Sequence, residues 1–512
     1  MRSPVVSAAE MKAAEAAAFN RGSTAEHLMD EAAAGIADAV AMFFPAPARC
    51  IVFAGKGNNG GDAIAAAELL HERGWSIELH LVFPEAECGE LLRNKLASLR
   101  AALQNGRSRG GTTILLDGLL GVGAPPPLRD PIRGACREIN RLRRDEHAFV
   151  FAVDLPSGID SDSGSADSEC VVADFTLAVG FVKRGLIADE AVNVVGRLHL
   201  IPLAELDVDG ITQSEVSDFA SLQDLLPRRE FGAYKNQFGR VGIVAGSKGL
   251  TGAAILCSLG ALHGGAGLVE LFVPEEIYNV VASSAAPEVM VKPVSRYGAL
   301  TDEPIDVWAV GPGLGLSHSN DILDLISKTP RPMVIDADAL NILAEDMRAL
   351  RQNAGPRLLT PHPGEMKRLF LQQHGSRAEQ AGQFCATCDA TLLLKGSRTI
   401  VAERDQPLSY NTTGNPGMAT GGMGDVLTGV CAGLLAQHLS PYDAARLGAW
   451  ICGRAAEIAI FNGRASEQSL LPSDVIAHLG LAFRALTHRE RSNPEIADRH
   501  GADPRSSASA DH

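Results

Sequence analysis

Residues 50–70, "CIVFAGKGNNGGDAIAAAELL", and residues 241–262, "VGIVAGSKGLTGAAILCSLGAL", carry the same three-part pattern in the two halves of the chain. An apolar run ends on glycine, a Gly-rich turn follows, and an Ala/Leu-rich stretch with helical character begins. A strand that is apolar on both faces belongs inside a parallel sheet covered by helices. The glycines then let the backbone approach whatever lies beyond the strand's C-terminal end.

The flanking sequence continues the alternation. Further strand candidates are 76–82 "SIELHLV", 112–118 "TTILLDG", 148–154 "AFVFAVD" and 173–179 "ADFTLAV" in the first half. In the second half they are 268–274, 305–311, 332–336, 357–360 and 391–396. Residues 8–43 are Ala-rich with helical spacing, and long helices are expected near 422–436, 441–461 and 472–487. The fold class is therefore α/β, in two domains. A charged, weakly periodic stretch places the boundary near 212–225, giving domains 1–215 and 225–488 and an expected disordered polar tail at 489–512. The spacing after the two opening motifs differs, which indicates shared physics rather than a duplicated domain.

The bulk composition agrees. At 512 residues the chain exceeds one core. With 46% hydrophobic residues, 52 glycines and 5% aromatics, it resembles α/β enzymes rich in βα turns. A formal net charge of -15 gives no basic footprint for nucleic acid or an anionic membrane. The nine cysteines are scattered, and no secretory h-region or long apolar span occurs, so reduced thiols and a cytoplasmic location are expected. Cys385 and Cys388 form a lone CxxC in a helix-like run and are expected to face a buried helix surface.

Three polar strand ends fall in the first half. "GKGNNGGD" (55–62) can present helix-start NH groups to an anion, while Asn58 and Asn59 offer amide oxygens to a hard cation or an amide-bearing ligand; a well-capped turn is the bland alternative. "LLDGLLGVGAPPP" (115–127) puts Asp117 at a second strand end, and "AVDLPSGID" (152–160) puts Asp154 and Ser157 at a third. Ligands of open α/β sheets bind there. These motifs, in this order, resemble the NAD(P)H-hydrate epimerase family, which implies a Rossmann-like three-layer αβα domain. By motif position the resemblance implies that Asn58, Asn59, Gly60, Gly61 and Asp62, with Gly121, Val122, Gly123, Ala124, Pro125, Pro126 and Pro127, contact the hydrated dinucleotide. It also implies that Asn59, Asp117 and Ser157 bind potassium and that Asp154 is the acid/base residue. Gly118, Val122 and Ala63 depart from the family's usual Ala, Thr and Gly, and "HLMDEAAAGIA" matches only loosely.

In the second half, "GNPGMATGGMGDVLT" (414–428) sets Asp425 at the entry of a helix. Asp425 is either a plain helix-start residue or a base beside an anion hole built from the preceding NH groups. With "TPHPGE" (360–365), "LLKGSRTIVA" (393–402), "AVGPGLG" (309–315) and "VIDADALNIL" (334–343), this stretch resembles the ribokinase-like NAD(P)H-hydrate dehydratase family. The resemblance implies that Ala253, Gly313, His362 and Asp425 contact the hydrate, with Asp425 as the base. Lys395, Gly396, Ser397, Arg398, Thr399 and Gly424 would hold ADP or ATP with magnesium. Met423 and Cys452 replace the family's usual Thr and His.

Together the two resemblances imply a repair enzyme for NADH hydrate and NADPH hydrate: an epimerase followed by a dehydratase that prefers ADP, acting as a homo-oligomer. The alternative is a ribokinase-like kinase of a small alcohol or vitamin precursor carrying a non-catalytic ligand-binding domain.

Overall fold

The computed structural model describes residues 2–103, 111–208, 213–226, 228–371 and 374–487. The expected tail at 489–512 lies outside them. Two parallel-sheet domains form, each with helices on both faces.

The first sheet has six parallel strands in the order Ser76–Leu81, Arg49–Ala54, Thr113–Gly118, Phe149–Val153, Phe175–Val179, Arg197–Ile201. Its inner strands are almost wholly buried, as their unbroken apolar runs require. The Ala-rich segment at 8–43 forms two helices, Ala8–Asn20 and Ala25–Phe43, separated by a turn where Gly22 has φ 102°. Ser7 and Thr24 cap them with side-chain oxygens on free backbone NH groups.

The second sheet has ten strands, ordered Val289–Val294, Leu268–Pro274, Arg240–Val244, Val307–Val310, Met333–Ile335, Arg357–Leu359, Thr391–Leu394, Ile400–Ala402, Leu408–Asn411, Ser214–Ser217. Pairing is parallel except on the two sides of Ile400–Ala402. The three expected long helices are Met423–Ala436, Pro441–Phe461 and Pro472–Thr487. The strand Ser214–Ser217 comes from the stretch assigned to the boundary and pairs with Leu408–Asn411, so the second sheet takes its edge from that stretch. Cys385 and Cys388 are buried at the end of the helix Arg377–Thr387, as expected, and all nine cysteines are free and buried. Among the described residues no helix is long and apolar enough to cross a membrane.

The domains are fastened to each other. Phe461, ending a helix of the second domain, packs against Phe43, Phe44 and Phe175 of the first, with ring centroids 5.6–5.9 Å apart. Arg197 pairs with the fully buried Glu457 at 2.7 Å. The first residues reach both domains: the Ser3 carbonyl accepts from the Val216 NH, at the edge of the second sheet, while Val5–Val6 pairs with Val182–Lys183 of the first domain in a separate two-stranded sheet.

Candidate active sites

In the first domain the polar strand ends converge as the topology demands. Asp117 at the end of Thr113–Gly118 is fully buried and accepts from the Ser157 NH at 2.8 Å, the Ser157 hydroxyl at 2.7 Å and the Leu119 NH at 3.2 Å. Ser157 Oγ in turn accepts from the Leu120 NH, and Asn59 Nδ2 donates to the Leu120 carbonyl at 2.8 Å. Asn59, Asp117 and Ser157 thus surround one turn. Burial pushes the Asp117 carboxyl up to about 6 against these hydrogen bonds. No Lys, Arg or His among the described residues pairs with it.

Asn58 to Asp62 form the first turn of the helix Asn58–Glu72, behind Gly57. Two glycines of this turn are required by close packing: a Cβ at Gly60 would collide with the Gly55 carbonyl, and one at Gly61 with the Met29 side chain. Met29 belongs to the loosely matching helix, so that helix does shape the loop. The segment from Gly121 to Pro127 is a partly exposed loop on the same side, and Gly123 faces Lys12. Two departures from the family pattern explain each other. A Cβ at Gly118 would lie 2.5 Å from the Cβ of Ala63, so one methyl group fits that contact and here residue 63 supplies it.

Asp154 has φ 68°, a left-handed conformation unusual for aspartate, and its carboxylate is held by Lys183 and by the Val179 NH. Lys183 is fully buried and also donates to the Val179 carbonyl at 2.8 Å. Enclosure, reinforced by the charges of Asp154 and Glu15, holds the Asp62 carboxyl well above the usual carboxylate range. Burial raises Glu15 too. Lys183 and Glu15 were missed from sequence. A lysine inside the apolar run "LAVGFVK" is the signal that could have found the former; Glu15 gave none.

In the second domain Gly422, at φ 94°, starts the helix Met423–Ala436 and puts Asp425 in its first turn. Burial pushes Asp425 up to about 7, with Asp336 adding to the rise and Lys395 opposing it. Asp336, at the end of Met333–Ile335, was quoted only as part of a motif, yet it organises the site. It accepts from Lys395 Nζ at 2.7 Å and from Thr428 Oγ1 at 2.8 Å. Gly424 leaves room for this pair, since a Cβ there would lie 3.3 Å from Lys395 Nζ. Ala253 and Gly313 adjoin each other across the strand ends, 3.0 Å from Ala253 Cβ to the Cβ position of Gly313.

His362 caps the helix Pro363–Leu369, its Nδ1 accepting from the Gly364 and Glu365 NH groups at 2.9 and 3.3 Å, while about half its side chain remains exposed. His362 is therefore a helix-capping turn residue with part of its ring still accessible. Gly396 and Ser397 are exposed and Thr399 is partly so. Arg398 is not: its side chain is 3% exposed and donates to the Gly196 carbonyl of the first domain at 2.7 Å. Met423 and Cys452 both line the cleft next to this segment.

Two αβα domains, each with a carboxylate and a Gly-rich loop at the C-terminal ends of its parallel strands, define a bifunctional α/β enzyme. The family model for NAD(P)H-hydrate dehydratase matches residues 241–477, and that for the YjeF-related protein N-terminus matches residues 25–185. The Bifunctional NAD(P)H-hydrate repair enzyme Nnr of Moorella thermoacetica is 34% identical over 510 residues, covering 90% of this chain and 92% of that protein. The Escherichia coli protein of the same name is 32% identical, covering 91% and 89%. Among solved structures, the ADP/ATP-dependent NAD(P)H-hydrate dehydratase of Bacillus subtilis co-crystallized with ATP/Mg2+ matches at TM-score 0.46 and 27% identity, covering 53% of this chain and 98% of that one. The chain belongs to the family of bifunctional NAD(P)H-hydrate repair enzymes.

Proposed function

We propose that the first domain interconverts the R and S hydrates of NADH and NADPH, and that the second removes water from the S hydrate with a nucleotide as phosphoryl donor. ADP is the donor, and AMP and phosphate are products. The observation that carries this reading is Asp425: a carboxylate at about 7, in the first turn of a helix, beside the Lys395–Asp336 pair. A base of that strength is half-ionised near neutrality, where general-base catalysis works best. It takes the proton from the hydrate hydroxyl as the oxygen bonds to the transferred phosphorus. The AMP oxygen leaves, and phosphate, a far better leaving group than hydroxide, then departs as the ring nitrogen's lone pair pushes in and the adjacent ring carbon gives up a proton, which restores the C=C bond of NAD(P)H. Lys395 and the NH groups around Gly424 balance charge on the donor phosphates. Asp336 supplies a hard carboxylate oxygen that fits magnesium together with the donor phosphates, which when bound would shield the donor's charge and leave Asp425 free as the base. Ala253, Gly313 and the exposed edge of His362 position the hydrate.

In the first domain the hydrate lies over the loops 58–62 and 121–127. Asp154, paired with Lys183, moves the proton that accompanies inversion at the hydrated carbon. Asn59, Asp117 and Ser157 fit a potassium ion: all are oxygen donors around one turn, and Asp117 is a buried carboxylate without a cationic partner among the described residues. The ion would compensate that charge and fix the turn. The enzyme acts in the cytoplasm as a homo-oligomer. The vitamin-kinase alternative is weaker because it leaves the Asp154–Lys183 pair and the Asp117 site idle.

The test is separation of the activities. Asp425→Asn should abolish dehydration and retain epimerisation, and Asp154→Asn should do the reverse. Loss of both activities from either folded variant would refute the two-site assignment.

A further inference from the structure

A cavity of about 890 Å3 lies where the two domains meet, and both domains line it. From the second domain come Lys395 to Thr399 and the loop 411–420; from the first come Arg143, Asp174, Val192, Asn193, Gly196 and Arg197. The first-domain residues sit at or near the N-terminal ends of its strands, at Phe149, Phe175 and Arg197, opposite the sheet end that holds Asp154. They have no part in the epimerase site.

The direction of a nucleotide in this cavity follows from its fixed points. Lys395 Nζ sits against Asp336, within reach of Gly424 and Asp425, so the transferred phosphate lies at that end. From there the segment 395–399 runs toward the domain junction, where Arg398 donates to the Gly196 carbonyl. The opposite wall converges on the same place. The Gly414 NH donates to Glu457 at 2.9 Å, and Glu457 is bound by Arg197 of the first domain and by Arg454. Burial opposes ionisation of Glu457, but these two arginines hold its carboxyl below the usual range. Ala253, Gly313 and His362, the proposed hydrate contacts, do not line this cavity. A nucleotide anchored by its phosphates at Lys395 therefore extends its ribose and base toward the first domain.

Charge at the junction points the same way. Arg398 has no carboxylate partner among the described residues, its Nε is buried without a hydrogen bond, and its guanidinium is pushed down to about 10 by burial and the neighbouring Arg197. With Arg398 only 3% exposed, this charge acts through the cavity wall rather than by contact, and it favours a guest rich in hydrogen-bond acceptors, as a ribose and a purine are.

We propose that the epimerase domain completes the nucleotide site of the dehydratase domain, with Asn193 and the Val192–Arg197 segment forming the wall against the ribose and base of the donor nucleotide. The proposal rests on Lys395–Thr399 being the nucleotide site. Asn193 is an exposed amide on that wall, able to donate and accept at once, as a purine edge requires.

The experiment uses the full chain and measures binding of ADP and of inorganic pyrophosphate, with epimerisation as control. Asn193→Trp places a large ring in the cavity and should weaken ADP roughly tenfold or more, the equivalent of one lost anchor. Asn193→Ala removes one hydrogen-bonding group and should weaken it roughly threefold to tenfold. Pyrophosphate, which has only the phosphate end, should bind both variants as it binds the native chain, and epimerisation should not change. ADP affinity within twofold of native in both variants would overturn the proposal, as would equal weakening of pyrophosphate. Lys395→Ala separates the two readings: if it leaves ADP and pyrophosphate binding unchanged, the nucleotide site itself is misplaced, whatever Asn193 does.

Discussion

The exchanged methyl group between residues 63 and 118 gives a prediction that can be worked from distances. In Gly118→Ala the added Cβ would lie 2.5 Å from Ala63 Cβ, 3.0 Å from the Asn59 carbonyl oxygen and 3.3 Å from the Phe53 carbonyl oxygen. Carbon atoms pack best at about 3.5–4.0 Å, so roughly 1 Å of overlap must be absorbed. The helix Asn58–Glu72 has to move off the strand, carrying Asn59 away from Asp117 and Ser157. Overpacking of this kind costs about 1–3 kcal/mol. Ala63→Gly alone removes a helix-favouring methyl group and costs about 1 kcal/mol. In the double variant the Cβ–Cβ overlap disappears and only the milder approaches to the Asn59 and Phe53 carbonyls remain. The pair should therefore be less destabilised than the sum of the singles, with a coupling of roughly 1–2 kcal/mol, inside the range seen for residues in contact. Thermal unfolding followed in the first domain reads this directly, at roughly 2–4 °C per kcal/mol for a domain of this size. The epimerase rate should fall in Gly118→Ala and recover in the double variant. An unchanged transition in Gly118→Ala, or strictly additive losses, would refute the reasoning.

Because Asp425 is pushed up to about 7 chiefly by burial, dehydration under kcat/KM conditions should rise tenfold per pH unit below about 7 and level off above it. The same shift carries a stability sign. The raised group favours the folded state only while protonated, so Asp425→Asn should raise the melting temperature at pH 8 and make no difference near pH 3, where both side chains are neutral. Lys183→Met leaves Asp154 without its cation and should lower the epimerase rate roughly 100-fold or more, with dehydration retained. Asp117→Asn removes the buried charge that the potassium ion would compensate, so epimerisation in that variant should lose any dependence on potassium over sodium.

The alternation of apolar runs with Gly turns made both parallel sheets and the three long helices legible, because buried parallel strands are apolar on both faces and leave few alternatives. Strands on the margins were not legible. Ser214–Ser217 is only four residues of mixed polarity, and its pairing with Leu408–Asn411 depends on a contact almost two hundred positions away. Val289–Val294 contains Pro293, tolerated there because the strand lies at the sheet edge. In the sites, strand-end aspartates could be found because the topology sends strand ends to one place. Lys183 and Asp336 could not be given roles, since each acts by pairing with a carboxylate or ammonium distant in sequence. The placement of Arg398 at the domain junction was equally invisible: a loop arginine in "KGSRT" gives no sign that its partner is a carbonyl of the other domain.

That one chain carries two activities in series can be tested in a single time course. Native protein is supplied with a mixture of R and S NADH hydrates, ADP, potassium and magnesium, and NADH formation is followed by its absorbance. The whole mixture should be converted to NADH, faster than the hydrates epimerise by themselves. Conversion that stops at the S fraction would contradict it.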